Sequence, residues 1–373
     1  MTIPLRAGLI GCGSLAQRGV LPHLSEADAR EHVRLVAVAD NDIERAQRTA
    51  ERYHVPVFFG DIHAMLAGAD LDLVIILTPI PLHYEHAMAA IAAGKHVYVQ
   101  KAMTTTLAEA DALLAARDQA GVKLAAAPGY ELFPTTAKMR EVVASGALGK
   151  VAIAYTYTMG FGHEHESIRA GEGALAAIDP SWYFRAGAGP LPDVTVYALQ
   201  LITSVLGPVR RVTAMANKVV PEREWRGKSI SIEVADNNLV MMEFATGTLG
   251  VAVGAECRGS PRVPWGGMAL FGTHGVLEIT EVHNPSGYPT RYAVGREETS
   301  VALTEQPYLR GAHLEIEEPH VYADIMDLVA AIGEDRPPRA TGEQARHVVE
   351  LIECARRAAD TGVTQELSSR FVV

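Results

Sequence analysis

Cysteine is scarce. Cys12, Cys257 and Cys354 are the only three in 373 residues, far apart and odd in number. That usage excludes a disulfide framework and fits a reduced, cytoplasmic setting. No apolar run is long enough to span a bilayer, so no membrane partner is expected. The first strand follows Met1 so closely that no room is left for a signal peptide. Basic runs are missing too, and the formal net charge is −11, which argues against a nucleic-acid partner. There is no internal repeat and no low-complexity linker. What remains is ordinary globular composition, 48% hydrophobic and 21% charged, in a chain long enough for two domains with a core each.

The strongest positive signal lies at the start. The run Leu9-Ile10-Gly11-Cys12-Gly13-Ser14-Leu15-Ala16 is followed by Val36-Ala37-Val38-Ala39-Asp40. An apolar strand enters a glycine turn, a helix leaves it, and a second strand ends in an acid. Dinucleotide binding needs this order. Gly11 allows the tight turn, Gly13 lets the backbone approach a pyrophosphate, and the small Ala16 lets the helix pack close. The helix N-terminus offers N–H groups to the phosphates. Asp40 stands where a carboxylate accepts from both ribose hydroxyls and repels a 2′-phosphate, which favours NAD over NADP. Glycines also build ordinary turns, so the flanking strands and the acid carry the weight.

Strands are expected at about 5–10, 33–39, 56–59, 71–77, 96–100 and 122–126, several of them apolar throughout, as in a parallel sheet covered on both faces. A helix from about Leu82 to Ala93 stops at Gly94, and another starts at the capping box Thr106-Leu107-Ala108-Glu109 and runs to Gly121. Such sheets bind ligands at the carboxyl ends of their strands. The cofactor-facing residues are therefore Gly11, Gly13, Ser14 and Leu15, then Asp40, Thr78-Pro79 with His83, and Gln100-Lys101. After Pro128 the texture changes. A helix at about Thr135–Ser145 precedes alternating segments at Val151–Thr158, Val209–Ala216, Ser229–Glu233, Asn238–Phe244 and Thr248–Ala255, as in an antiparallel or mixed sheet with one half-exposed face. A last helix spans about Gly342–Thr361. The glycine-rich loop from Gly160 to Gly189 is longer than a connector needs, which marks it as functional. The expected division is a dinucleotide-binding domain at 1–127 and an α/β domain at 128–373.

Over nearly its whole length the chain resembles the glucose-fructose oxidoreductase / inositol dehydrogenase / MocA family of sugar and cyclitol dehydrogenases. The resemblance rests on the glycine turn, Ala39-Asp40, Thr78-Pro79 with His83, and Gly94-Lys95-His96-Val97-Tyr98-Val99-Gln100-Lys101. It continues in Ser145-Gly146-Ala147-Leu148-Gly149, Trp182, Gly189-Pro190-Leu191-Pro192-Asp193, Phe271-Gly272-Thr273-His274-Gly275 and Asp335-Arg336-Pro337-Pro338-Arg339. It implies a Rossmann domain and a C-terminal α/β domain with a large, mostly antiparallel open sheet that mediates oligomer contacts, in a homodimer or homotetramer. The active site is implied to lie in the cleft between the domains. Three motifs depart from the family. Its Glu-Lys-Pro reads Gln100-Lys101-Ala102, its Asp-x-x-x-His reads Asp193-Val194-Thr195-Val196-Tyr197, and its Arg-Phe-x-Pro is replaced by Tyr130-Glu131-Leu132-Phe133-Pro134. The lysine stays while the usual proton carrier is replaced.

Chemistry gives roles to these residues. Removing hydride from a secondary alcohol leaves an alkoxide. A lysine ending a buried strand beside the nicotinamide supplies positive charge there, and burial lowers its pKa towards the working pH. The plainer reading of Lys101 is a surface lysine at a strand end. Asp193 and Tyr197, one helical turn apart, can face one substrate and relay its proton; otherwise they are a helix-start acid and a core tyrosine. Trp182 is expected as an apolar wall, and Tyr130, His163, Trp182, Asp193 and Tyr197 make up the substrate-binding set. His163-Glu164-His165 resembles a metal motif, but on a strand it lacks the further ligands a zinc site wants, so no metal is expected. The function expected is NAD-dependent oxidation of a carbohydrate-like polyol. Two alternatives stay open: an oxidoreductive glycosidase that oxidises a ring hydroxyl transiently, and a non-catalytic sugar/NAD sensor.

Overall fold

The computed structural model describes residues 3–169, 177–256, 265–280, 290–294, 297–301 and 309–373. Cys257 and the middle of the Gly160–Gly189 loop lie outside them. The chain forms two compact units. The first is chiefly Met1–Gly129 with Leu309–Gly342, and the second holds most of the remainder, including Glu343–Val373. Residues 309–342, placed with the second domain by the sequence pattern, therefore pack with the first.

The first unit is a six-stranded sheet of β1 Leu5–Ile10, β2 Val33–Ala39, β3 Val57–Phe59, β4 Leu73–Ile76, β5 His96–Val99 and β6 Leu124–Ala126. The order is β3-β2-β1-β4-β5-β6 and every pairing is parallel. β4 is buried at all of its residues, as its unbroken apolar run requires. The helix His83–Ala92 is closed by Gly94 at φ 70, and Leu107–Ala120 opens with the expected Thr106/Glu109 capping box and closes at Gly121 in the left-handed region. The order reverses between β1 and β4, so the carboxyl ends of these strands form the crevice that such sheets use for dinucleotides. The segment from 309 onward is fastened to this unit by charge and by burial. Arg18 reaches Glu317 and Glu318, both at 2.7 Å, and Val321, Ile325 and Leu328 join the core of Leu9, Val20, Leu73 and Tyr98.

The second unit is built on β7 Val151–Met159, β8 Val209–Asn217, β9 Glu222–Trp225, β10 Lys228–Ser231, β11 Asn237–Phe244, β12 Leu249–Ala255, β13 Gly266–Gly272, β14 Gly275–Thr280, β15 Thr290–Val294, β16 Glu297–Val301 and β17 Gln365–Glu366. Nine of them form one sheet, ordered β16-β15-β14-β13-β7-β12-β11-β8-β17, antiparallel except at β7/β12. The Ser229 segment does not join it. It pairs with β9 as a separate hairpin, because Arg226 and Gly227, both at positive φ, fold the chain back after Trp225.

One face of the large sheet is covered by the buried helix Val196–Leu206. Close approach there depends on glycine in β12. A Cβ at Gly254 would stand 1.7 Å from Thr195 Oγ1, and Thr195 is fully buried. Gly254→Ala is therefore expected to cost about 1–3 kcal/mol through forced repacking and to displace the turn that carries Asp193. Urea unfolding of the two forms checks this, and equal stability would contradict it.

Candidate active site

In the first unit the glycine turn follows directly from β1. Gly11 sits at φ 97, and a Cβ there would lie 2.7 Å from the Leu77 backbone, so only glycine fits. Gly13 has nothing within 4 Å of its would-be Cβ. Open space at that point is what a pyrophosphate needs for close backbone approach. Ser14 and Leu15 lead into the wide i→i+5 turn Ala16–Val20, which continues as the helix Leu21–Ser25. Cys12 Sγ faces the Ala39 carbonyl, and burial first, then Asp40, pushes its thiol up to about 12. It is a packed filler.

Asp40 is held from three sides. Its Oδ2 accepts from the Cys12 N–H at 2.8 Å, and its Oδ1 accepts from the Asp42 N–H and from Arg45 Nη1, each at 2.9 Å. Arg45 also reaches Asp42 at 3.0 Å. The sequence pattern did not single out Arg45. An arginine on the first turn of the helix that follows the acid is the signal that would have found it.

The ends of β4 and β5 are tied together by His83. Its ring stands 2.8 Å from the Ala102 carbonyl and 2.7 Å from the Thr78 carbonyl. The residue is only 1% exposed, so the expected groove-lining histidine is instead a brace for the turn carrying Lys101. Thr78 Oγ1 pairs with His86 at 3.0 Å, and Pro79 precedes the short turn Ile80–Leu82 that starts this helix. Lys101 is partly buried, and its charge bears on the buried rings of His83 and His320. The Lys101–Ala102 peptide is cis. Gln100 donates to the Tyr98 hydroxyl at 2.8 Å, which donates to Asp324 at 3.1 Å, and Asp324 accepts from the Gly129 N–H. The lysine's strand is thus fixed on both sides.

In the second unit Asp193 lies in the wide turn Leu191–Thr195 and Tyr197 in the helix after it, so the expected single α-helical turn between them is not formed. Tyr197 sets its ring edge-on to Trp265, with centroids 4.9 Å apart. Asp193 is met by His163. β7 ends at Met159, and Gly162 at φ 94 turns the chain, so His163-Glu164-His165 is a short helical turn and not a strand. His163 Nε2 is 2.9 Å from Asp193 Oδ2, and Nδ1 is 2.6 Å from Glu166 Oε1. Arg169 Nε donates to the other oxygen of Glu166 at 3.0 Å. Burial alone would lower the imidazole's pKa, but the bonds to Asp193 and Glu166 outweigh it and push it up to about 10.

Around His163 stand Tyr183, edge-on at 4.1 Å between centroids, and Trp182, tilted at 6.4 Å. Trp182 also leans on the cluster of Tyr183, Phe184 and Trp225. Glu256, which the sequence pattern did not single out, is 3% exposed, and burial pushes its carboxyl up to about 7. Glu164 pairs with Arg223 at 2.7 Å, both buried. Tyr130, expected in the substrate set, is fully buried with its ring edge-on to Phe133. Among the described residues, no group of three or more His, Cys, Asp or Glu is arranged to hold a metal ion. No helix among them is long and apolar enough to cross a membrane.

The histidines predict how stability depends on pH. Burial pushes His23, His83, His320 and His347 down to about 4. An unfolded histidine titrates near 6.5. The unfolded chain therefore binds protons first, and the stability held above about 6.5 is lost as pH falls towards 4. His163 runs the other way: its contribution is complete below about 6.5 and is lost as pH rises through 10. Urea unfolding across this range should show a maximum near neutrality with a decline on both sides. A flat acid limb would contradict the buried neutral rings.

A parallel sheet in this order with an open glycine turn and an acid at the end of β2 defines a dinucleotide-binding fold. Residues 5–127 match the oxidoreductase family with an NAD-binding Rossmann fold, and residues 136–278 match the GFO/IDH/MocA C-terminal domain. The chain belongs to the Gfo/Idh/MocA family, and its cofactor is NAD. It is similar to D-glucoside 3-dehydrogenase of Escherichia coli, 29% identical over 258 residues, 65% of this chain and 68% of that one. It is also similar to dTDP-3,4-didehydro-2,6-dideoxy-alpha-D-glucose 3-reductase of Streptomyces violaceoruber, 28% identical over 283 residues, 75% and 74% of the two chains. The fold is shared with levoglucosan dehydrogenase in complex with NADH and levoglucosan, at a TM-score of 0.81 and 20% identity over 98% of this chain and 100% of that one.

Proposed function

We propose that the protein is an NAD-dependent dehydrogenase that takes hydride from a secondary hydroxyl of a sugar, glycoside or cyclitol. The observation that carries this is Lys101, held at the carboxyl end of β5 by the His83 bridge, in the same unit as the glycine turn and Asp40. Relatives named as a glucoside dehydrogenase and a deoxysugar reductase support the substrate class. The backbone at Gly11, Gly13, Ser14 and Leu15 holds the pyrophosphate, and Asp40 the adenosine ribose. Thr78, Pro79 and Gln100 flank the nicotinamide end. NAD supplies the hydride acceptor, at C4 of its ring. Lys101 stabilises the alkoxide, Asp193 takes the hydroxyl proton, and Trp182 offers an apolar wall to the sugar.

A homo-oligomer fits the exposed face of the large sheet. Register places Met215, Leu239 and Val253 in one cross-strand row, Met241, Val251 and Tyr155 in the next, and Leu249, Ile153 and Phe271 in a third. A contiguous apolar face of this kind marks an interface, here with a second copy of the chain. Buried free thiols at Cys12 and Cys354 suit a reducing compartment. The glycosidase alternative has one observation in its favour. A buried carboxyl with the raised pKa of Glu256 is the kind of acid that protonates a leaving group.

The test is a screen of sugars, glycosides and cyclitols against NAD and NADP that follows both cofactor absorbance and products. A carbonyl product formed mole for mole with reduced cofactor is expected. Aglycone release with no net reduction would favour the glycosidase.

A further inference from the structure

Asp193 needs a partner that can make up the charge it loses when it takes a proton. Position 197, where the resemblance leads one to look for a histidine, holds a tyrosine whose ring packs on Trp265. Three unbroken hydrogen bonds run the other way, from Asp193 through both nitrogens of His163 to Glu166 and on to Arg169. A structural ion pair would need only one of the two carboxylates. Here a single imidazole joins both, and its far end is anchored by an arginine that is 7% exposed.

We propose that Asp193, His163 and Glu166 form the proton relay of the dehydrogenase, with His163 as the imidazole beside Asp193. In the oxidation the substrate O–H bond breaks towards Asp193, its electrons form the C=O bond, and the hydride leaves the same carbon. His163 passes its Nδ1 proton to Glu166 in the same event. One proton enters the trio, and the imidazolium no longer stands beside a neutralised Asp193. In the reduction both movements reverse. His163 acts through Asp193 and is a positioning residue. The charged groups bearing on it are Asp193 from the wide turn, Glu166 from its own loop and Glu256 from the end of β12, with the Tyr183 ring edge-on to it, while Glu164 of the same loop pairs with Arg223 from β9. The loop is tightly packed: a Cβ at Gly162 would meet Arg223 Nη1 and Glu164 Oε2.

The proposal rests on the dehydrogenase reading, so it is tested first without substrate. NMR of the histidine rings should show His163 charged through neutral pH in the wild type, and Asp193→Asn should return it towards the ordinary range. A wild-type His163 that titrates near 6.5 overturns the relay whether or not any sugar is turned over. With a substrate in hand, His163→Asn should lower kcat by about a hundredfold or more, as loss of acid–base catalysis does, with KM nearly unchanged. Glu166→Gln, which keeps the shape but cannot take the Nδ1 proton, should lower kcat and move the alkaline limb of the pH–rate profile to lower pH. An unchanged kcat in His163→Asn overturns the proposal. A correct His163 titration with no sugar oxidised counts against the dehydrogenase reading alone.

Discussion

Asp40→Ser is expected to weaken NAD binding and to raise the relative use of NADP by tenfold or more. A carboxylate offers about four acceptor directions. Cys12 N–H, Asp42 N–H and Arg45 use three of them. The ribose hydroxyls therefore gain a full pair of bonds only as Arg45 lets go. Hydrogen bonds to a charged acceptor are worth about 1.5–3 kcal/mol, and about 1.4 kcal/mol is tenfold in affinity. The serine removes those bonds and the negative charge together. It also frees Arg45, one quarter of whose side chain is exposed, to meet a 2′-phosphate. The gain for NADP should vanish when Arg45→Ala is added to Asp40→Ser. Cofactor titrations of the two single variants and the double variant measure this. An unchanged preference in Asp40→Ser would remove Asp40 from the ribose site.

Lys101→Ala is expected to leave NAD affinity nearly intact while turnover falls by about 10²–10³, the usual cost of losing one stabiliser of a developing oxyanion. The separation follows from placement. The residues proposed for the phosphates and the ribose stand at the ends of β1 and β2, whereas Lys101 follows β5, and His83 bonds the Ala102 carbonyl next to it. The fall should appear in kcat, at saturating substrate. If the variant keeps more than a tenth of wild-type turnover, Lys101 is not the charge beside the alkoxide.

The first unit was legible because each of its signals is local. A glycine at positive φ, a capping box and an unbroken apolar run each fix their own element, and strands β1 to β6 fall within about two residues of the pattern. Asp40 was legible for the same reason. The second unit's site was not, because its contacts join residues far apart in sequence. His163 meets Asp193 thirty positions away. The alternation rule misled at His163, since Gly160 and Gly162 end the strand before it, and at Ser229, where a tight turn diverts the strand into a hairpin. Helical spacing misled at Asp193 and Tyr197, because the backbone there takes one wide turn before the α-helix begins. Glu256 carries no sequence signal at all. Its chemistry comes from burial beside Tyr183, which only the packed structure supplies.

The proposed reaction is hydride transfer from carbon to nicotinamide with Lys101 beside the alkoxide. The most direct measurement uses the substrate chosen by the screen, deuterated at each secondary carbinol carbon in turn. One position is expected to deliver its deuterium to the reduced cofactor, mole for mole with the carbonyl product, and Lys101→Ala to deliver almost none in the same time. Cofactor that stays unlabelled for every position, or label that returns to a cleaved sugar with no net reduction, would contradict it.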